Sequence, residues 1–198
     1  MKYVKFVIGL EIIVSFIALS GCGMLYGYRR IQTFDETVYS KFISEIDDTA
    51  LTIQPLVSDY STFRSYRFIC EDSLWQNFYS GQPVQILYFM NNSLVSYHVN
   101  CLAKGMFSNL NWNTENRFDS FPPSSSLKPP HIIPNNVFCL YDINQKDKCV
   151  VIVFWTTMFC EVSKSAIEMV KSNIHRYGKC QDVVVYLINT DYYYLEAR

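Results

Sequence analysis

Two of the seven cysteines stand where a thiol could do chemistry. Cys160 lies between an apolar run that ends at Trp155 and a segment, from Ser163 onward, whose apolar residues recur at helical spacing. A cysteine at a helix N-terminus faces unpaired backbone N–H groups and the positive end of the helix dipole, which lower the pKa of its thiol. Cys160 is therefore a candidate for thiol–disulfide chemistry. Cys22 ends a short apolar run near the N-terminus, where export and covalent modification are the expected chemistry.

The N-terminal segment has the parts of an export signal. A short basic stretch up to Lys5 precedes a mostly apolar run from Phe6 to Ala18, and Leu19-Ser20-Gly21-Cys22 closes it. This ending resembles the lipobox of bacterial lipoproteins, a family whose cysteine receives diacylglycerol before cleavage in front of it and acylation of the new amino group. The resemblance implies a signal peptide over residues 1–21 and a lipid on Cys22. It also implies a place in the cell envelope, facing the periplasm or the exterior, with the membrane as partner through the lipid anchor.

A second interpretation of this segment stays open. Glu11 lies within the apolar run, where a carboxylate opposes membrane insertion. The alternative is an uncleaved single-pass membrane anchor from Tyr3 to Leu19, which is at the short limit for a helix that spans a bilayer. We favour the lipoprotein, because the several acyl chains of such a lipid exceed the two anchors that stable membrane attachment requires.

Composition and the other cysteines argue against several classes of function. The formal net charge is −1 with basic and acidic residues mixed along the chain, so nucleic-acid binding is not predicted. Many disulfide pairings are possible, and the sequence does not choose among them. The three histidines are scattered and no glycine-rich phosphate motif occurs, so we predict no metal site and no cofactor. The residues concerned are Cys70, Cys101, Cys139, Cys149, Cys160 and Cys180, with His98, His131 and His175.

An N-terminal α+β region is predicted over residues 35–107, after a tether at residues 22–34. Apolar residues at helical spacing predict one amphipathic helix within residues 33–56. Asn91-Asn92 predicts the turn of a β-hairpin, because asparagine tolerates the positive φ of a tight turn. Runs rich in aromatic and β-branched residues predict strands at residues 63–69, 84–90 and 94–99.

Residues 108–136 are rich in proline. Five of the seven prolines fall between Pro122 and Pro134. Such a stretch does not join the interior of a sheet and tends to be extended. We therefore predict a linker or surface loop here, with a boundary between two regions of the chain. A docking ligand for a protein partner is the alternative.

The C-terminal region, residues 137–198, has the pattern of a βαβ unit. The almost uninterrupted apolar run Cys149–Trp155 predicts a strand buried on both faces. A helix is predicted at Ser163–Tyr177, ended by Gly178, followed by a second buried strand at Val183–Ile188. Strand, helix and strand of this length predict a parallel sheet, so the fold class is α/β with a mixed α+β N-terminal part. A further strand is predicted at residues 138–143.

The sequence FWTTMFCEVSK, Phe154 to Lys164, resembles the strand, turn and helix start that carry the active cysteines of the thioredoxin-like family. The later Asn189-Thr190-Asp191 also resembles the end of the next strand of that family. The resemblance implies a partial thioredoxin-like βαβ unit with Cys160 as the candidate catalytic residue. Ser163 stands where the second, resolving cysteine of the family would be, so a mixed disulfide at Cys160 lacks the usual intramolecular release.

Two functions are therefore weighed against each other. The first is a non-enzymatic, membrane-anchored cell-envelope lipoprotein, a binding or scaffolding module with a degenerate thioredoxin-like fold. The alternative is an envelope thiol–disulfide oxidoreductase acting through Cys160, which a close approach of Cys149 or Cys180 would favour. A third hypothesis is a truncated chain, since an isolated βαβ unit leaves its last strand without the neighbours of a full sheet.

Overall fold

The computed structural model describes residues 28–91, 93–99, 120–124, 129, 134–144 and 149–197. The predicted signal peptide, Cys22, Cys101 and His131 lie outside these residues. Within the described ranges, no helix is both long enough and apolar enough to cross a membrane. In chain order the elements are α1 (Glu36–Ile46), β1 (Thr52–Val57), α2 (Tyr60–Arg67), a π-helical turn (Trp75–Tyr79), β2 (Gln85–Met90), β3 (Ser93–Val99), α3 (Pro134–Leu140), β4 (Cys149–Trp155), α4 (Cys160–Arg176), β5 (Val183–Asn189) and α5 (Asp191–Glu196).

The strands of the described part form one five-stranded mixed sheet in the order β1-β5-β4-β2-β3. β1, β5 and β4 run parallel, whereas β2 pairs antiparallel with both β4 and β3. The protein is therefore an α/β fold, and β4-α4-β5 is the predicted βαβ unit. β5 lies between β4 and β1, so the last strand has a hydrogen-bonded neighbour on each side.

Strands from both predicted regions of the chain belong to this sheet. β1, β2 and β3 precede residues 108–136, and β4 and β5 follow them. The proline-rich segment therefore connects parts of one sheet, and helix α3 begins within it at Pro134.

The two central strands are buried on both faces. All residues of β4 are buried, as are all residues of β5 except Val184. α1 and α4 cover one face of the sheet, and α2, α3 and α5 cover the other. Each fully buried valine or isoleucine stabilises the fold by about 1.5–3 kcal/mol. The ends of these strands are therefore a rigid base for the loops that follow them.

Residues 63–69 were predicted as a strand, and this prediction is wrong, because most of them lie in helix α2. Asp59 caps the helix by accepting hydrogen bonds from the hydroxyls of Ser61 and Thr62 and from the backbone N–H of Thr62. These bonds, that of Ser61 foremost, lower the pKa of Asp59 to about 2. Two buried aromatic residues three positions apart then face the core, so helical spacing and the cap outweigh the strand-like composition.

One other element differs from the prediction, and one predicted helix is confirmed but shorter than the segment that suggested it. Residues 138–143 were predicted as a strand, but the chain forms α3 up to Leu140, with Pro134 at the first position, where its missing N–H costs little. The helix predicted within residues 33–56 ends at Ile46, and the chain then forms β1. Backbone pairing of β1 with β5 competes there with the local apolar spacing.

The hairpin and the end of α4 confirm two turn predictions. β2 and β3 pair antiparallel around Asn91, which has φ 46°. Gly178, with φ 63°, ends α4, and the N–H groups of Gly178 and Lys179 donate to the carbonyls of His175 and Ile174. Glycine takes this left-handed conformation without a steric cost.

Candidate functional site

Cys160 is the first residue of α4 and lies at the carboxyl edge, the edge of the sheet where β1, β5 and β4 end. The segment Tyr28–Arg29 covers the loop in front of it. The backbone N–H of Arg29 donates to the carbonyl of Met158 at 2.8 Å, and the rings of Tyr28 and Phe159 lie 5.5 Å apart. The Cys160 side chain is therefore half-buried.

The electrostatic setting of Cys160 opposes a thiolate. Burial raises the pKa of the thiol, and the carboxylates of Glu161 and Glu45 raise it further. The cationic groups of Arg29 and Lys164 act in the opposite direction but do not reverse the shift. The lowered pKa that we predicted from the helix terminus is therefore wrong, because removal of water from the thiolate outweighs the nearby positive charge.

No other described cysteine is placed to form a disulfide with Cys160. Cys149 begins β4 and Cys180 follows the end of α4, so both lie at the opposite end of the βαβ unit. α4 has 17 residues and is therefore about 25 Å long. A disulfide requires Cα atoms about 4.4–6.8 Å apart. The described cysteines are all free thiols: Cys70, Cys139, Cys149, Cys160 and Cys180.

Ser163, at the position of the resolving cysteine in the thioredoxin-like family, makes hydrogen bonds that hold the structure together. Its hydroxyl donates to the carbonyl of Thr156 at 3.0 Å, and the backbone N–H of Thr156 lies 3.4 Å from the same oxygen. Ser163 is fully buried. It therefore ties the first turn of α4 to the end of β4.

Asp191, the first residue of α5, holds the same loop from the end of the neighbouring strand β5. Its carboxylate accepts hydrogen bonds from the Thr156 hydroxyl at 2.5 Å, the Thr157 hydroxyl at 2.6 Å and the Thr157 N–H at 2.9 Å. The backbone N–H of Asp191 donates to Oδ1 of Asn189 at 3.0 Å. β4 and β5 are parallel neighbours, so the residues after them meet at one edge. Hydrogen bonds to this buried carboxylate replace the water it loses, and the loop before Cys160 is held rigidly.

An open cleft of about 270 Å³ lies beside this loop. Two arginines, Arg29 and Arg30, are among its lining residues, and neither is in an ion pair with any residue that the structure describes. The carboxylate of Asp35 accepts from the N–H groups of Thr37 and Val38, so it caps α1. The cleft therefore carries net positive charge. Its lining residues are Arg29, Arg30, Ile31, Gln32, Thr33, Asp35, Val38 and Thr157.

A second polar cluster lies at the other end of α4. Nε2 of His175 is 2.8 Å from Oδ2 of Asp48, and Nδ1 of His175 is 3.3 Å from Sγ of Cys180. The hydrogen bond with His175 lowers the pKa of Asp48. We predicted no role for these residues, because Asp48 is remote in sequence from the other two. The short spacing of His175 and Cys180 around Gly178 was the available signal.

The remaining site predictions concern metals and His98. His98 lies on β3 as predicted, and it is buried, with Nε2 3.1 Å from the hydroxyl of Ser96. Among the residues that the structure describes, no group of three or more histidine, cysteine or acidic side chains could hold a metal ion. Comparison of the chain with protein-family models, with curated proteins and with solved structures finds no match.

Proposed function

We propose that the protein is a membrane-anchored cell-envelope lipoprotein and a non-enzymatic binding module, whose cleft at the carboxyl edge binds a small anionic group. The observation that carries this proposal is that two arginines without an ion-pair partner among the described residues, Arg29 and Arg30, line a cleft together with Thr157. Arginine presents a planar set of donors that matches carboxylate and phosphate oxygens.

The position and size of the cleft support a small ligand. In open sheets with parallel strands, ligands bind beyond the carboxyl ends of the strands, and the cleft lies at that edge beside Thr157. Its volume of about 270 Å³ is just below the roughly 300–1,000 Å³ of pockets that enclose drug-sized ligands. The cleft therefore suits a phosphate, a carboxylate or one charged group of a larger molecule.

The proposed lipid on Cys22 would hold this cleft near the membrane. Arg29 follows Cys22 by seven residues, which reach at most about 25 Å when fully extended. The degenerate thioredoxin-like fold remains part of the proposal. It is supported by the βαβ unit and by the hairpin β2-β3, which lies beside β4 on the side opposite to β5. A non-enzymatic role is supported by the raised pKa of Cys160 and by the structural contact of Ser163.

The alternative is an envelope thiol–disulfide oxidoreductase acting through Cys160. It is favoured by the place of Cys160 at the start of α4 and by the cationic groups of Arg29 and Lys164 near the thiol. An oxidoreductase requires Cys160 to react with iodoacetamide faster than a model thiol at mildly acidic pH. We expect a slower reaction, because burial disfavours the thiolate.

Isothermal titration calorimetry tests whether the cleft binds an anion. Phosphate is titrated into the full-length protein in detergent at constant ionic strength. We expect saturable binding that weakens at least about tenfold in the double variant Arg29→Gln/Arg30→Gln, because charge-assisted hydrogen bonds contribute about 1.5–3 kcal/mol each. Arg64→Gln is the matched control, since Arg64 is exposed on α2 and in no ion pair within the described chain. Equal binding by the double variant and this control would contradict the proposal.

Metabolic labelling with palmitate tests the anchor separately. We expect label on the native protein and its loss in Cys22→Ala. Label that persists in the variant, or no label in either protein, would overturn the lipid anchor and leave the cleft experiment unaffected.

A further inference from the structure

The cluster of Asp48, His175 and Cys180 is a chain of hydrogen bonds that ends on a sulfur. A carboxylate only accepts hydrogen bonds, so the 2.8 Å contact with Asp48 places a proton on Nε2 of His175. Nδ1 of the neutral ring then has a free electron pair, and it lies 3.3 Å from the Cys180 thiol. A base beside a thiol, oriented by a third group, is the arrangement that activates cysteine nucleophiles.

These three side chains come from the end of α4, from the segment after it and from the connection between α1 and β1. His175 lies in the last turn of α4, and the left-handed Gly178 turns the chain so that Cys180 returns beside it. Asp48 lies between α1 and β1, where its other carboxylate oxygen accepts from the N–H of Ala50 at 3.0 Å. The C-terminus of a helix favours a positively charged histidine, so α4 stabilises the imidazolium that forms when His175 takes the thiol proton.

We propose that Cys180 is a reactive thiol that forms mixed disulfides with small-molecule disulfides. His175 accepts the proton of Cys180, and the thiolate attacks one sulfur of the disulfide. A new S–S bond forms as the original bond breaks, and the second half of the reagent leaves as a thiolate that takes up the proton from His175. Cys180 is thereby oxidised, and one sulfur of the small disulfide is reduced.

The surroundings of Cys180 favour this reaction over acyl transfer. Acyl transfer creates an oxyanion that requires N–H donors close to the nucleophile. The N–H groups of Tyr177, Gly178 and Lys179 are already bonded to carbonyls of α4. Disulfide exchange creates no oxyanion, so it does not require such donors.

Four of the other charged residues at this end of α4 form two ion pairs, whereas Arg176 and Asp47 are in no ion pair among the described residues. Lys179 and Asp182 form an ion pair at 3.7 Å, and Lys171 pairs with Glu168 at 3.0 Å. The Lys171 ammonium also donates to the carbonyl of Ile46 at 2.9 Å. His175 is positioned to exchange a proton with the thiol, because its Nδ1 lies within hydrogen-bond distance of Sγ.

Site-resolved labelling of the full-length protein with 4,4′-dithiodipyridine at pH 6, read by peptide mass spectrometry, tests the proposal. Cys139 is an exposed cysteine of α3 and serves as the internal control. We expect Cys180 to react at least about tenfold faster than Cys139, because only Cys180 has a histidine base beside it among the described residues. His175→Gln should lower the Cys180 rate to that of Cys139, and Asp48→Asn should lower it several-fold.

Two results would overturn the proposal. One is a Cys180 rate no faster than the Cys139 rate at pH 6, and the other is an unchanged Cys180 rate in His175→Gln. Circular dichroism melting of each variant checks that it is folded. The Cys139 rate in the same sample corrects the Cys180 rate for any increase in thiol accessibility that partial unfolding causes. Asp48→Asn keeps the size of the side chain and provides a second variant should His175→Gln unfold.

Discussion

The two ends of helix α4 each carry a cysteine, and their surroundings are opposite in kind. Cys160, at the N-terminus of α4, is half-buried beside Tyr28 and Arg29, and burial raises the pKa of its thiol. Cys180, beyond the C-terminus, contacts the imidazole of the exposed residue His175. The helix dipole alone would make Cys160 the more reactive thiol. We therefore expect exposure to water and a hydrogen-bonded base to affect thiol reactivity here more than position on the helix.

The carboxylates near the two ends of α4 also differ in burial and in hydrogen-bond partner. Asp191 is buried and its partners are hydroxyl and N–H groups of Thr156 and Thr157, so it fixes a loop. Asp48 is near the surface and its partner is a histidine, so it can assist proton transfer. This difference agrees with the two proposals, binding at the carboxyl edge and thiol chemistry at the opposite end.

The largest effect that we expect from a single change is that of Asp191→Ala. The substitution leaves buried donors of Thr156 and Thr157 without an acceptor, and the loss of such a network costs about 3–5 kcal/mol. Urea unfolding followed by circular dichroism measures this loss, which would be a large part of the stability of a typical domain. Asp191→Asn retains one acceptor oxygen and should cost less. A cost below about 1 kcal/mol for Asp191→Ala would show that the loop is not held by this carboxylate.

Asp48→Asn should have a much smaller effect on stability. A surface contact between a carboxylate and a histidine contributes less than about 1 kcal/mol. The pKa of Asp48 is lowered by its hydrogen bond with His175, so its contribution is present above the unfolded pKa and is lost as the pH falls. The stability difference from the native protein should therefore shrink between about pH 5 and pH 3. Asp47→Asn is the control, because Asp47 is in no ion pair within the described residues.

Much of the βαβ unit could be predicted because its signals are local. An apolar run gives β4, a helical period and Gly178 give α4, and Asn91 gives the hairpin turn. The strand predicted at residues 63–69 was wrong because aromatic residues suit both helix and strand, and the cap at Asp59 decides between them.

The candidate sites depend on contacts between remote parts of the chain. Cys160 could be placed at a helix start from sequence, but its burial depends on the bridge between Tyr28 and Phe159. The contact of Asp48 with His175 depends on how α1 packs beside α4. No local pattern encodes either contact, so neither the raised pKa of Cys160 nor the place of Asp48 in the second cluster could be predicted.

One labelling experiment tests the central contrast between the two ends of α4 most directly. The rates of iodoacetamide labelling at Cys160 and Cys180 are measured in the same sample, with and without phosphate at constant ionic strength. We predict that Cys180 reacts at least about tenfold faster. The positive charge of Arg29 lowers the pKa of the Cys160 thiol, and an anion in the cleft would neutralise that charge. We therefore also predict that phosphate slows the labelling of Cys160 and leaves the labelling of Cys180 unchanged. Equal rates at the two thiols, or an equal effect of phosphate on both, would contradict the account.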